Sequence, residues 1–287
     1  MQLTGILREL AFSPFQHAEN DRRILELTAE SLVRKGHEVR ILSEHEVGRT
    51  PITSPVIFSM CQGPEATAAL ADLERRGRLI INSPLGVQSC YRVNLFHAAG
   101  PGCPILAPTA LITTEPDRFA PPSFAGGQAY WVKRGDVHAT QAGDVVKVTT
   151  PGEFVNVVAD MRGRGISEAA VQAHIDGVVV KFYGVVGAPF FRWYAERDYK
   201  VCPVIFGSKR PPIEALVRRL GLEVYGGDAV IAEDGRVFVI DINDWPSFAY
   251  YRTEAAEVIA AHIHARAAAL ARAASHVAVP MQRSSRR

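Results

Sequence analysis

Asp228, Asp241 and Asn243 lie in one segment, GLEVYGGDAVIAEDGRVFVIDINDWPSF. Asp234-Gly235 falls between two β-branched runs, which predicts a two-residue hairpin turn. Counting back from a Glu233–Arg236 pair sets Ala232 opposite Val237, Ile231 opposite Phe238, Val230 opposite Val239, Ala229 opposite Ile240, and Asp228 opposite Asp241. Directly opposed side chains sit about 5 Å apart, where like charges repel. Alternation along a strand places Asn243 on the same face as Asp241. Val230, Val237 and Val239 are expected on one face and Ile231, Phe238 and Ile240 on the other, so the strands should be buried, where an unpaired acid is costly. Two carboxylates and a carboxamide oxygen form a hard-oxygen set suited to Mg²⁺, whose remaining ligands come from water and phosphate. The alternative is a solvated strand end, or pairing of the acids with Arg or Lys. Acids that point apart, or that are neutralised by neighbouring guanidinium groups with no room for an ion, would undo the metal reading.

A magnesium-bound triphosphate needs cations as well. Lys133, in AYWVKRGD, and Lys181, in GVVVKFYGVV, occur inside apolar strand runs, where the bland account is a strand-end lysine extending its ammonium to water. Arg92, in QSCYRVNLF, offers a third cation from a central helix, with an exposed helix arginine as the simpler alternative. The loop RGDVHATQAGD after Lys133 is suited to folding backbone N–H groups over phosphate, although it is poor in glycine. His138 within it is a candidate contact to phosphate or substrate, against a solvent-facing loop histidine. The QAHID run, Gln172 to Asp176, enters the next strand; it either offers backbone groups to a base edge and Asp176 to a ribose, or is an ordinary connector.

The elements that must position these groups follow an α/β order. LTGIL, EVRIL, PVIFS and LIIN read as strands. They are separated by helices near 20–35, where Gly36 is the stop, and near 66–76. A helix over 88–99 leads into AAGPGCPILAP, and APPSFAGG forms a second connection. Two strands and a helix over 152–162 then make a small α+β unit, followed by VVVKFYGVV, a helix over 212–220, the hairpin, and an Ala-rich helix to about 274. The expected divisions are an N-terminal α/β domain over 1–85, a central helix and linker over 86–127, a lid over 128–172, a sheet-plus-helix unit over 173–274, and a tail over 275–287.

The chain has 287 residues, 47% hydrophobic and 22% charged, which is enough apolar surface for a substantial core and excludes collagen-like or wholly disordered classes. Lys+Arg 32 against Asp+Glu 30 leaves a net charge of +2, which gives no overall electrostatic case for nucleic acid. Cys61, Cys90, Cys103 and Cys202 form no CxxC pair, so reduced thiols are expected rather than a zinc ribbon or disulfide scaffold. MQLTGILRELAFSPF lacks a basic leader with an apolar stretch, and no run reaches the ~18 apolar residues of a membrane span. A cytoplasmic enzyme is the expectation.

In this order of features (INSP before a central helix, a strand lysine, a loop, a QxxI hinge, and a hairpin ending in DINxxP) the sequence resembles the ATP-grasp superfamily over most of its length. The resemblance implies an N-terminal parallel-sheet domain, a small lid and a C-terminal sheet carrying the metal site. It further implies ATP and Mg²⁺ as cofactors, with Mn²⁺ as an alternative ion. By resemblance Asp228, Asp241 and Asn243 bind the metal. Lys133, Arg92 and the run Gln172, His174, Ile175 and Asp176 hold nucleotide. YWVKRGDVHA, HIDGVVVKFYGVVG and DINDWP look like inositol trisphosphate 5/6-kinases, in which the counterparts of His138 and Lys181 contact phosphorylated substrate or nucleotide. A second loop histidine of those kinases is replaced here by Gly143. The architecture equally resembles ribosomal-protein glutamate ligases and glutathione synthetases, which join a carboxylate to an amine or thiol through an acyl phosphate. Their transition-state arginine has Arg192, Arg197 and Arg210 as candidates, Arg192 first. The ligase reading is preferred because few extra Lys or Arg residues stand ready to cradle a polyphosphorylated sugar. The kinase is the alternative and a non-catalytic nucleotide-binding module the second. The acceptor is a small molecule or peptide, and the oligomeric state, a homodimer included, is open.

Overall fold

The structure is a computed structural model, and it describes residues 1–13, 18–100, 102–195 and 206–277. Strands β1 (Gln2–Leu7), β2 (Glu38–Ser43), β3 (Val56–Ser59) and β4 (Leu79–Ile81) form a parallel sheet in the order β2-β1-β3-β4. Helix α1 (Ala18–Arg34) buries Ile24, Leu25, Ala29 and Leu32, the i, i+4 spacing that covers a sheet with one stripe. It stops at Gly36, whose φ of +85° is the left-handed turn expected there. Helix α2 (Pro64–Arg75) covers the sheet through Ala66 and Leu70.

The expected single helix over 88–99 is two: α3 (Pro84–Gln88) and α4 (Arg92–Ala99). Tyr91, the N-cap of α4, has extended backbone, and this break puts Arg92 at the first position of a helix. A second sheet has the order β5-β8-β6-β7. Its strands are β5 (Thr109–Thr113), β6 (Tyr130–Arg134), β7 (Val145–Val148) and β8 (Glu168–Ala173). Helix α5 (Pro151–Gly163) packs on one face of it through Phe154, Val158 and Met161 against Val132, Val148 and Val171. Because side chains alternate, Trp131 and Lys133 of β6 and Gln172 of β8 point to the opposite face.

The third sheet has the order β10-β9-β11-β12, comprising β9 (Gly177–Val185), β10 (Phe191–Ala195), β11 (Val224–Ala232) and β12 (Val237–Asp244). Helix α4 and helix α6 (Arg210–Arg219) pack on one face, over Val180, Phe182, Ala229, Ile231, Val237, Val239 and Ile242. Helix α7 (Arg252–Val277) leans on α1. It joins Leu3, Ile24 and Phe58 of the N-terminal layer with Trp245, Phe248, Ile259 and Ile263 in one buried cluster. No helix among the described residues is long and apolar enough to cross a membrane.

The hairpin departs from the expected register in an instructive way. The turn spans three residues, Glu233 to Gly235, with Gly235 at φ +80° and the Ala232 N–H bonded to the Arg236 carbonyl at 2.9 Å. Ile231 therefore faces Val237, and Ala229 faces Val239, one residue off the count. A bulge at Ile240 then restores the count, so that Asp228 does face Asp241. Val230 consequently shares its face with Phe238 rather than with Val237 and Val239.

Candidate functional site

Asp228 and Asp241 lie on the face of the third sheet opposite α4 and α6, with Asn243 two residues beyond Asp241 on the same side. Lys181 of β9 is directly opposite Asp228 on its other flank, and its Nζ donates to Asp228 Oδ1 at 2.8 Å. Arg92, buried at the start of α4, donates from Nη2 to Asp241 Oδ2 at 2.9 Å. The acids are thus neutralised by one lysine and one guanidinium, the pairing weighed as the alternative to a metal. Room remains beside them, because both line two cavities of about 350 Å³ each. Among the described residues no three His, Cys, Asp or Glu side chains form a metal cluster.

The first cavity lies between the second and third sheets. Lys133, only 6% exposed, reaches across to donate to Gln172 Oε1 at 2.8 Å and to the bulged Ile240 carbonyl at 2.9 Å. Burial, with Arg92 nearby, lowers its pKa to about 8, against the opposing pull of Asp241 and Asp228. Gln172, His174, Ile175 and Asp176 line the same cavity with Trp131, Val179 and Val230. His174 is held there by the Trp131 indole N–H, which donates to its Nδ1 at 3.0 Å. Two nitrogens of Arg92, Nε and Nη1, are buried without a hydrogen-bond partner among the described residues, as suits a group that meets an anion.

The second cavity opens from the acids toward the N-terminal layer and holds His138. Its inner end is a charged knot that the sequence reading did not anticipate. The wholly buried Asp244 accepts from Gln62 Nε2 at 2.9 Å and pairs with His138 Nε2 at 3.1 Å. Arg8 donates to Asp21 at 2.8 Å and to the carbonyls of Met60 at 3.1 Å and Trp245 at 3.3 Å. Burial opposes the charge on Arg8, but Asp21, Asp244 and Glu44 override it and raise its pKa. Burial likewise favours protonated Asp241 and Asp244. Arg92, Lys133 and His138 hold the first below the usual carboxylate range, and His138 and Arg8 hold the second. Arg8 and Gln62 follow the carboxyl ends of β1 and β3, where open parallel sheets place ligands, so their position was an available signal.

Of the fourteen residues singled out from the sequence, eleven line these two cavities. Arg192 does not. It pairs with Glu254 at the start of α7 and lies over the Phe190 ring at 5.2 Å, which turns its guanidinium away from the acids. Arg210, the other described candidate, is bonded to Glu214 at 3.0 Å and the Ala188 carbonyl at 2.5 Å, also outside the cavities. Arg197 lies outside the described residues.

Compared by sequence, the chain matches no protein-family model and no curated protein. Compared by structure, it is similar to the D-alanine–D-alanine ligase of Coxiella burnetii. The TM-score is 0.68 at 11% identity, over 94% of this chain and 98% of that one. It is similar to the D-alanine–D-alanine ligase of Bacillus anthracis complexed with ATP at TM-score 0.69 and 12% identity, over 93% of this chain and 99% of that one. A RimK-domain ATP-grasp protein of Sphaerobacter thermophilus aligns at TM-score 0.69 and 16% identity, over 92% of this chain and 100% of that one. Three sheets in this arrangement, aligned end to end with these proteins, show that the chain has the ATP-grasp fold.

Proposed function

We propose that the chain is a Mg²⁺- and ATP-dependent ligase that joins a carboxylate to an amine or thiol through an acyl phosphate. The observation that carries this reading is that the two cavities meet at the same four side chains, Arg92, Lys181, Asp228 and Asp241. Nucleotide in the inter-sheet cavity would then present its terminal phosphate to a molecule in the other. Trp131, Val179 and Val230 offer apolar walls to a base, with His174, Ile175 and Asp176 at the polar edge. Lys133, Lys181 and Arg92 would gather the phosphates, offsetting charge as phosphoryl transfer proceeds.

The donor set fits a magnesium ion. Asp228, Asp241 and Asn243 are hard oxygen donors on one face, and the Asn243 carboxamide has no hydrogen-bond partner among the described residues. The ion would supply electrostatic stabilisation of the triphosphate. Lys181 pairs with Asp228 and Arg92 with Asp241, and both cations would be within reach of a bound triphosphate. His138, fixed by Asp244, stands at the acceptor side and would orient the acceptor. In the acceptor cavity every cation is matched by an acid: Arg8 by Asp21, Lys181 by Asp228, and Arg92 by Asp241. With Lys181 and Arg92 serving the nucleotide, the cation left to the acceptor side is Arg8, which supports an acceptor bearing one carboxylate over a polyphosphorylated sugar.

The test is a metabolite screen that measures ADP and inorganic phosphate separately. A ligase releases both, in proportion, only when a carboxylate and an amine or thiol are present together. ADP without free phosphate would identify a kinase instead, and nucleotide binding with neither product a non-catalytic module. Asp241→Asn should weaken Mg·ATP-induced thermal stabilisation, and an unchanged shift at matched ligand concentration would remove Asp241 from the ligand set.

A further inference from the structure

We infer that the chain has a second small-molecule site, for a neutral, ring-bearing compound, in a cavity of about 590 Å³ that shares no residue with the two above. Four segments wall it: α4 through Phe96, the connection through Cys103 and Leu106, β5 through Thr109 and Leu111, and β12 through Phe238. Among the described residues no Asp, Glu, Lys or Arg lines it; its one imidazole, His97, is exposed, and Arg236 lies over the Phe238 ring at 5.3 Å, so a charged ligand would be poorly matched whereas an apolar ring gains contact with Phe96 and Phe238. Its volume and apolar lining are those of small-ligand sites, and walls contributed by four segments favour a small compound over a flat protein surface.

The position of the cavity gives such a ligand a route to the nucleotide side. Thr109 Oγ1 accepts from Gln172 Nε2 at 3.2 Å, and Gln172 Oε1 accepts from Lys133 Nζ at 2.8 Å. On the other wall, Phe238 is two residues from Ile240, whose carbonyl is the second acceptor of Lys133. The connection itself is fastened to β12, with the Val239 N–H donating to the Ile105 carbonyl at 2.7 Å and the Ala107 N–H to the Val239 carbonyl at 2.9 Å. A molecule wedged between Phe96 and Phe238 shifts the connection and β12 together, and so both acceptors of Lys133. The coupling, though not the cavity assignment, rests on the nucleotide reading above.

The test uses N-phenyl-1-naphthylamine, a neutral fluorescent probe, with the full chain. Saturable binding at one site per chain is expected, abolished by Leu111→Trp and by Cys103→Trp, each of which fills the cavity from a different wall. Mg·ATP should change the probe's affinity by about fivefold or more, and the probe should change Mg·ATP affinity by the same factor. Thr109→Val should keep probe binding while shrinking that factor. Binding that does not saturate, or that survives both tryptophans in folded protein, overturns the site. Saturable binding with no reciprocal effect, in a chain that binds Mg·ATP, overturns the coupling. Saturable, tryptophan-sensitive binding in a chain that takes no Mg·ATP overturns the nucleotide reading and the coupling with it, and leaves the cavity assignment standing.

Discussion

Lys133→Met should make the ligand-free protein more stable while removing its response to nucleotide. The lysine is 6% exposed and, among the described residues, its ammonium donates to the Gln172 carboxamide and the Ile240 carbonyl. Lowering its pKa from 10.5 to about 8 corresponds to a penalty of about 3 kcal/mol on the charged form at neutral pH. Methionine removes that penalty at similar volume but takes the donor from Gln172 Oε1 and leaves the Ile240 carbonyl only the long 3.5 Å bond from Gln172 Nε2, at about 1 kcal/mol each. The net is a gain of about 1 kcal/mol, or a few degrees in Tm. The sign of the pH dependence is a sharper check. Between about pH 8 and 10.5 the unfolded lysine keeps a proton that the native one has shed, so wild-type stability rises with pH through that window. The variant lacks this rise, and subtracting the two curves isolates it from other titrating groups. Urea unfolding at pH 7 and pH 10, with and without Mg·ATP, measures all three quantities. A variant less stable than wild type at pH 7, or two parallel pH curves, would refute the buried-charge argument. A preserved Mg·ATP shift would remove Lys133 from the nucleotide site.

Asp144→Ala should loosen the loop that carries His138. Asp144 accepts from the Thr140 N–H at 2.8 Å and pairs with Arg164 at 2.6 Å and Arg134 at 3.3 Å, so a loss of about 3 kcal/mol by chemical denaturation is expected. Burial opposes the charge, but these donors lower the Asp144 pKa to about 2, so in wild type this contribution is present above about pH 4 and fades toward pH 2. Gly184→Ala should cost about 1–3 kcal/mol, because an added Cβ would lie 2.3 Å from the ring of the fully buried Tyr225; an unchanged Tm would show that the ring can yield. Burial and the facing His264 lower the His37 pKa, so the unfolded chain takes up this proton first and stability falls as pH drops below 6.5. His37→Gln should flatten that fall in thermal scans at pH 7 and 5.5. Mg²⁺ alone should give little thermal stabilisation, because Lys181 and Arg92 already neutralise the acids; a large shift without nucleotide would mean the ion competes with those cations unaided.

The facing aspartates were legible because strand pairing is arithmetic, yet the count succeeded through two compensating departures. A three-residue turn moved the register by one, and the bulge at Ile240 moved it back. The turn could have been weighed from Glu233, but nothing local announces the bulge, whose freed carbonyl is fixed by Lys133 from another sheet. Strands β5 and β8 were missed for a related reason. EAAVQA has weak intrinsic strand preference, and it is a strand because β5 and β6 bond both its edges. Arg92 could be placed near the site but not at a helix start, since the break at 89–91 depends on tertiary packing. Arg192 was a candidate only because the ligase resemblance implies a transition-state arginine, with no motif to choose it over Arg197 and Arg210. What decides its place is Glu254, 62 residues later, which no spacing rule connects to it.

The pairing of Asp228 with Lys181 and of Asp241 with Arg92 bears on how such a site exists before its ligands arrive. Two partly buried carboxylates opposite one another would repel, and leaving either charge unpaired costs several kcal/mol. A lysine and an arginine remove that cost in the free protein, but both lie where the two cavities meet, so the same cations are within reach of phosphate. If the proposed Mg·ATP binds here, Lys181 and Arg92 would turn to its phosphates and Asp228 and Asp241 would hold the ion, so that no charge would be stranded at either stage and metal affinity would be conditional on nucleotide. On this argument the ion pairs that count against a metal in the free protein are what a nucleotide-dependent metal site requires. The buried, unpartnered nitrogens of Arg92 mark where the exchange would begin.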